Sequence, residues 1–502
     1  MIRKAKTENG WVAGIPAADP RITAFKGVPF AAPPVGENRW RAPQPAADWE
    51  GVRKCYTFAP ISVQDVPGLD PDNLYSREWN VDPDIPMSED CLYLNIWTPA
   101  KSADEKLPVL VWFFGGGLVV GNTAEMEFDG ERIARRGVIV VSVNYRLNVF
   151  GFLCHPQLLK EQPDAPTNFG HLDQSYGVRW VKRNIAAFGG DPDNITIGGQ
   201  SAGGISVCAH FASPQNAGLF QKGIIMSGMA CDVYHTFRFI QSLDQALETG
   251  KRFFDFLGVK TLEEARALDA FYLRDQLQKF KGMWNTVIDG QFLTEEYDAC
   301  LITGRRLPGP IMVGCTSNET GPAVPAANID EFKAFISKTF GDAAAEEYMA
   351  IVGEDFDRAM EMTKINNVEV AARAMKQSEE AVGAEYPLYY YMFDPEMPGW
   401  DNAGTFHSSD LWFFFETLAK CWRPFVGKHY DLARQMCNYW ANFIRSGDPN
   451  GLDADGSPMP TWKPMTGSEE NAVRFGDKVI PYVDDQNQLL HFLVRKWREQ
   501  FR

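Results

Sequence analysis

Six short runs dense in branched and aromatic residues limit what this chain can fold into: Val109–Phe114, Val138–Val143, Ile195–Ile197, Ile224–Met226, Pro310–Val313 and Leu388–Met392. Apart from Ser142 and Thr196 they are apolar or aromatic throughout, and strands of that kind are buried on both faces, as in parallel sheets. Between the second and third runs lies Tyr176–Phe188, with Val181, Ile185 and Phe188 on one helical face. The pattern predicts an α/β fold with a large, mostly parallel central sheet covered by helices. Two further stretches, about 236–280 and 332–375, are helical and charged and break the strand alternation, so they read as helical insertions near one edge or over the top of the sheet. No repeat or low-complexity linker divides the chain. Residues 1–502 therefore read as a single domain carrying those insertions.

Charge narrows the partners. With 49 Lys+Arg against 65 Asp+Glu the formal charge is −16, which argues against nucleic acid or an anionic membrane as a partner. The nine cysteines are scattered and never spaced CxxC, so reduced, mostly buried thiols are expected rather than a disulfide scaffold or a zinc ribbon. The first sixteen residues, MIRKAKTENGWVAGIP, lack the apolar stretch of a secretory signal. The longest uncharged apolar run, Leu107–Gly121, is interrupted by three glycines and is too short to span a bilayer as a helix. A soluble, cytoplasmic protein is expected.

The chemistry concentrates in Gly199-Gln200-Ser201-Ala202-Gly203. A G-x-S-x-G alone is a weak signal, since a glycine-rich loop with a passive serine looks the same. Here it follows the run Ile195–Ile197 and precedes a helical run from Ile205 to Phe211, the strand–turn–helix setting of a nucleophile elbow. The flanking glycines are needed because so sharp a turn leaves no room for β-carbons. Upstream, Val109–Phe114 runs into Gly115-Gly116-Gly117, where bare backbone N–H groups can face a developing oxyanion. Gly116, Gly117 and Ala202 are the expected donors. No GxxxxGK[ST] is present, nor a GxGxxG at a strand–helix junction, which disfavours phosphate cradling.

The base is expected downstream of the serine. Of His155, His171, His210, His235, His407, His429 and His491, only His407 stands in a loop of small residues ahead of an aromatic helix start. His429 and His491 fall in amphipathic runs and read as surface or satisfied core groups. Glu319 follows the strand Pro310–Val313 and so falls at a strand's C-terminal end, where α/β crevices lie. Asp410 is a rival acid by proximity to His407, although its position suits capping of the following helix.

These residues together resemble the type-B carboxylesterases, the cholinesterase-like family of α/β hydrolases. The likeness runs nearly end to end, through Phe25–Pro34, Arg39-Trp40, Ser88–Asn95, Gly115–Gly117, Asn144–Arg146, Asp173-Gln174, the serine motif, Glu319, His407 and Trp440 to Gly447–Asn450. The resemblance implies an α/β-hydrolase fold with the helical insertions over the active site. It also implies a Ser201–His407–Glu319 triad with Gly116, Gly117 and Ala202 as oxyanion hole, and Gly115, Gln200 and Ser227 in support. Arg39–Glu89 and Arg146–Asp173 become buried structural ion pairs by the same likeness. Several positions depart from the family, among them Thr316 and Asn318 in the acid motif, where the family often has Asn and Asp. Gln200 stands where cholinesterases and many carboxylesterases carry Glu, which weakens the case for cationic substrates. Phe114 replaces the histidine usual before the three glycines. Cys91 matches a half-cystine of secreted relatives whose partner position is Ser62 here, with Cys55 offset, which supports a bacterial-type intracellular member without that disulfide.

The function implied is hydrolysis of short-to-medium acyl or aryl carboxylic esters through an acyl-enzyme on Ser201. No metal or organic cofactor is called for, a small ester is the partner, and the chain is expected to be a monomer or weak homo-oligomer. Met229, Ala230, Phe114 and Trp412–Phe415 can line an apolar pocket, though aromatic runs of this kind are more often core. A cinnamoyl (feruloyl or chlorogenate) esterase is the nearest enzymatic alternative, an amidase or acyltransferase shares the nucleophile chemistry, and a non-catalytic binding module is the alternative of a different class.

Overall fold

The computed structural model describes residues 1–501 except Pro71, Asn80, Ala230, Cys231, Phe237, Thr320 and Asn366. Its central sheet has eleven strands among the described residues. In chain order they are β1 (Ile15–Pro16), β2 (Thr23–Pro29), β3 (Tyr93–Thr98), β4 (Leu107–Phe113), β5 (Ile139–Val143), β6 (Gly190–Gln200), β7 (Lys222–Met226), β8 (Ile311–Thr316), β9 (Leu388–Phe393), β10 (Asn471–Phe475) and β11 (Val479–Val483). Across the sheet they run β11-β10-β9-β8-β7-β6-β4-β5-β3-β2-β1. The middle, from β10 to β5, is parallel throughout, and both edges are antiparallel.

Alternation along β4 shows why its run is apolar at every position. Val109, Val111 and Phe113 enter one core with Val178, Val181 and Val207, while Leu110, Trp112 and Phe114 enter a second core with Trp440 and Ile444. Helices α1 (Phe169–Asn184) and α2 (Ala202–Ala212) cover the first face, and α3 (Gly427–Ser446) covers the second. All six runs read from the sequence are strands, and all lie in the parallel middle of the sheet. The edges are less regular. In β2 the pairing with β3 shifts register between Phe25 and Val28, around Lys26-Gly27. Strand β11 contains Pro481, which an edge tolerates because one side needs no ladder donor.

The stretch 236–280 opens with a short strand, Ile240–Ser242, paired to Thr286–Ile288, before helices Leu243–Leu257, Leu262–Arg266 and Ala270–Leu277. The stretch 332–375 falls within four helices between Ile329 and Ala381. Among the described residues no helix is long and apolar enough to cross a membrane. The eight described cysteines are all free; Cys231 lies outside the described residues.

Two buried ion pairs fasten the loops beneath the site. Arg39 grips Glu89 through Nε and Nη2, both at 2.6 Å. Arg146, after β5, holds Asp173 of α1 at 2.8 and 2.7 Å and also gives that carboxylate its own backbone N–H at 3.1 Å. Removing one partner of such a pair strands a charge in the core, which is worse than removing both. Asp173→Asn is therefore expected to cost about 3–5 kcal/mol, read as a fall in melting temperature, and an Arg146→Met/Asp173→Leu double variant is expected to lose less than the single one.

Candidate active site

Ser201 sits between β6 and α2 with φ 55° and ψ −125°, a backbone conformation that non-glycine residues rarely hold. Two hydrogen bonds fix it: its N–H donates to the Met226 carbonyl at the end of β7 at 2.8 Å, and its carbonyl accepts from Ile205 N–H at 2.9 Å. The glycines serve closeness, not torsion. A β-carbon on Gly203 would stand 2.1 Å from the Phe113 carbonyl oxygen, and one on Gly199 would stand 2.4 Å from the Gly203 backbone. Helix α2 thus begins in contact with the end of β4, and the serine is pushed out into the cavity above.

The acid and base arrive on two tethered loops. A bridge pairs Asn318 with Phe406, and Ser317 Oγ meets Thr405 Oγ1 at 2.5 Å. This brings Glu319 Oε2 onto His407 Nδ1. Glu319 Oε1 accepts from the Ser227 hydroxyl and from Thr316 N–H, the latter at 3.1 Å. Burial pushes the Glu319 carboxyl up, but the positive charge and hydrogen bond of His407, with the Ser227 and Thr316 donors, more than offset it and hold it below its ordinary value. Burial likewise works against protonated His407, and the Glu319 charge outweighs it, leaving the imidazole above its ordinary value. His407 Nε2 faces the Gln200 side-chain amide at 3.3 Å, and that amide also donates to Ser408 Oγ at 2.7 Å.

Asp410 is not the partner of His407. It stands at the N-cap position of Leu411–Phe414, yet its side chain makes no cap bond and instead accepts from the Tyr391 hydroxyl at 2.9 Å. His429 is buried in α3 and accepts from Val426 N–H at 3.0 Å, while His491 meets Glu470 at the surface.

Gly116 and Gly117 take φ of 102° and 66°, and the N–H groups of Val119 and Val120 fold back onto the Gly116 carbonyl. The N–H groups of Gly116, Gly117 and Ala202 donate to no other group among the described residues. Gly115 abuts the turn: a β-carbon there would stand 2.8 Å from the Gln200 carbonyl oxygen and 3.1 Å from Ser201 Cβ. Ala202 also opens α2, so the positive end of that helix faces the same space.

Ser201, His407, Gln200 and the three glycines border a cavity of about 280 Å³. Its wall also includes Tyr75, Trp79, Phe128, Leu411, Glu125 and Glu127. Among the described residues neither helical stretch supplies a lining residue; the short helix Leu74–Glu78 contributes Tyr75, Trp79 follows it, and the 120–128 segment supplies further wall. Phe114 stacks on Tyr145 with centroids 4.3 Å apart, and Trp412–Phe415 are core: Phe413 packs on Phe393 and Phe414 on Trp112. Met229 is buried in the core, and Ala230 lies outside the described residues. Sequence reasoning missed Tyr75 and Trp79, because nothing local marks a short Asn73-capped helix as the roof of a site. Among the described residues no group of three or more His, Cys, Asp or Glu is placed to hold a metal ion. A hydroxyl on a strained turn, an imidazole aligned by a carboxylate, and backbone N–H groups in a glycine turn are the kinds of group that acyl transfer uses.

The model of the Carboxylesterase family matches residues 3–489. The chain is 32% identical to the para-nitrobenzyl esterase of Bacillus subtilis over 89% of this chain and 88% of that one. It is also 32% identical to human cocaine esterase over 92% of this chain and 86% of the relative. A solved PNB esterase structure superposes with a TM-score of 0.81 at 27% identity, covering 98% of this chain and 99% of that one.

Two outcomes follow from the geometry. Gly203→Ala forces α2 off β4 and is expected to cost about 1–3 kcal/mol or more by thermal melting, whereas Gly427→Ala, with nothing within 4 Å of the added carbon, stays within about 0.5 kcal/mol. The base must be neutral, so kcat/KM is expected to fall as pH drops through a midpoint above the ordinary histidine value of about 6.5. Glu319→Gln removes the charge that raises it, so the midpoint moves down while kcat falls by about 10⁴-fold; an unmoved midpoint would break the pairing.

Proposed function

The chain belongs to the carboxylesterase family, and from that premise we propose that Ser201 is its nucleophile, His407 the general base and Glu319 the acid that orients and stabilises the imidazolium. The protein is a carboxylic ester hydrolase of the serine type, and its relatives favour neither a cinnamoyl specialist nor a non-catalytic module. The observation that carries the assignment is that Ser201, on its strained turn, shares a cavity with a His407 already aligned by Glu319.

His407 Nε2 takes the Ser201 proton as Oγ attacks the ester carbonyl. Hydrogen bonds of this kind are commonly loose in free enzymes and tighten once substrate is bound. The Gly116, Gly117 and Ala202 N–H groups then hold the tetrahedral oxyanion, each donor contributing roughly 2.7–4 kcal/mol where one has been removed in other hydrolases. Protonated His407 passes its proton to the departing alcohol. Water, activated by the same imidazole, frees the acid from Ser201. Ser227 steadies Glu319 rather than touching the substrate, and Gly115 and Gln200 shape the turn and the base's surroundings.

The substrate is a short-to-medium acyl or aryl ester, a reading supported by the modest, aromatic-walled cavity. A cytoplasmic location is supported by the free, buried thiols, and the protein works as a monomer or weak homo-oligomer. Steady-state hydrolysis of p-nitrophenyl esters from acetate to laurate, with a feruloyl ester alongside, tests the assignment. Ser201→Ala is expected to lower kcat by about 10⁴–10⁶-fold, with butyrate preferred over laurate. Near-wild-type turnover in that variant would remove Ser201 from the mechanism.

A further inference from the structure

One buried guanidinium lies where the cavity wall and the loop of the base meet. Glu78 ends the short helix Leu74–Glu78 that gives Tyr75 to the cavity wall, and its side chain is buried. A carboxylate at that position faces the negative end of the helix and has lost its water, so it calls for a strong partner. That partner is Arg423, whose side chain is fully buried and which reaches Glu78 Oε1 through Nε at 2.7 Å and Nη2 at 2.5 Å. The same guanidinium turns its other edge to the loop that carries His407. Nη1 donates to the Pro398 carbonyl at 3.0 Å and, with Nη2, forks onto the Asp401 carboxylate at 2.9 Å each. Its Cζ also lies 5.1 Å from the ring centroid of Phe406, the residue before His407. These contacts use the full set of N–H donors that an arginine has. Burial works against the charge on Arg423, and the hydrogen bonds and charges of Asp401 and Glu78 more than offset it.

Trp79 joins the same knot from the cavity side. Its ring centroid lies 6.4 Å from that of Phe406 and 6.3 Å from that of Trp412, and the Trp412 indole N–H donates to Glu78 Oε2 at 3.2 Å. Arg423 itself is not among the residues that line the cavity. The other side of the His407 loop is tied to the Glu319 loop by the Asn318–Phe406 bridge. We propose that Arg423 is a positioning residue of the active site: it fastens the wall helix carrying Tyr75 to the loop carrying His407, so that the shape of the cavity and the seat of the base are set together. The proposal rests on the esterase reading of the cavity and adds the device that links substrate fit to the base. A substrate group that pushes Tyr75 or Trp79 outward pulls on the His407 loop through Glu78, Arg423 and Asp401. Lysine is no substitute here, because a point charge with three donors does not hold two carboxylates and a carbonyl in one plane.

Two conservative variants, one at each end of the tie, test this. Glu78→Gln alters the wall-helix end and Asp401→Asn the loop end, and each leaves Arg423 one carboxylate partner. Steady-state hydrolysis of p-nitrophenyl butyrate is expected to show crossed effects: kcat falls about threefold to tenfold in Glu78→Gln, and KM rises about threefold or more in Asp401→Asn. Arg423→Lys is expected to show both. A purely structural ion network lowers the melting temperature and leaves kcat and KM of the folded variants within about twofold of wild type, and that result overturns the proposal. One-sided effects, KM alone from Glu78→Gln and kcat alone from Asp401→Asn, overturn it too. Hydrogen exchange read by mass spectrometry follows the tie without turnover. Glu78→Gln is expected to speed exchange in peptides covering 399–406, and Asp401→Asn in peptides covering 73–79, with α1 unchanged. Exchange that quickens only at the substituted end refutes the tie. Should Arg423→Lys fail to fold, the two carboxamide variants decide by the same criteria. Crossed exchange in a protein that hydrolyses no ester refutes the esterase reading alone, and ester hydrolysis with one-sided effects refutes this proposal alone.

Discussion

The site depends on a contact made without side chains: the first turn of α2 lies against the Phe113 carbonyl at the end of β4, so close that Gly203 has no space for a methyl group. That contact sets where Ser201 stands relative to Gly115–Gly117, since the glycine loop leaves β4 one residue beyond Phe113. Ser201 and the glycine loop are therefore placed by one packed junction of two parallel strands and a helix, and the strained φ of Ser201 is tolerated because Met226 and Ile205 hold both its backbone groups.

Around this rigid junction the electrostatics are organised by a single buried negative charge. Glu319 keeps its proton off only because His407, Ser227 and Thr316 compensate for its burial. The same charge raises His407, and it also helps push Asp410 up to about 7, burial being the larger cause. A second ionised carboxylate beside the imidazole is thereby disfavoured, and Asp410 is occupied by Tyr391 instead. Acid assignment between two nearby carboxyls follows from which one has donors for its charged form.

The parallel middle of the sheet was legible because its strands are buried on both faces, which forces continuous apolar runs. The edges were not: β2 is interrupted by Lys26-Gly27, β3 carries Asn95 to bind Ser142 and Thr123, and β11 contains Pro481. Glu319 and His407, which the structure pairs, and Ser201, which borders the same cavity as His407, stand out in the sequence by chain order and loop setting. The roof of the cavity does not, because Tyr75, Trp79, Glu125 and Glu127 acquire meaning only through contacts distant in sequence. Trp412–Phe415, which the sequence left open as a pocket, belong to the core for the ordinary reason that large aromatic surfaces are buried there.

The measurement that goes most directly to the account is covalent labelling with a p-nitrophenyl alkylphosphonate, followed by intact-mass and peptide-level mass spectrometry. The geometry predicts one adduct per chain, on Ser201, formed more slowly when Glu319 is replaced by Gln. A folded protein that takes up no label, or takes it up on any other residue, would contradict the assignment of Ser201 as the acyl-accepting nucleophile.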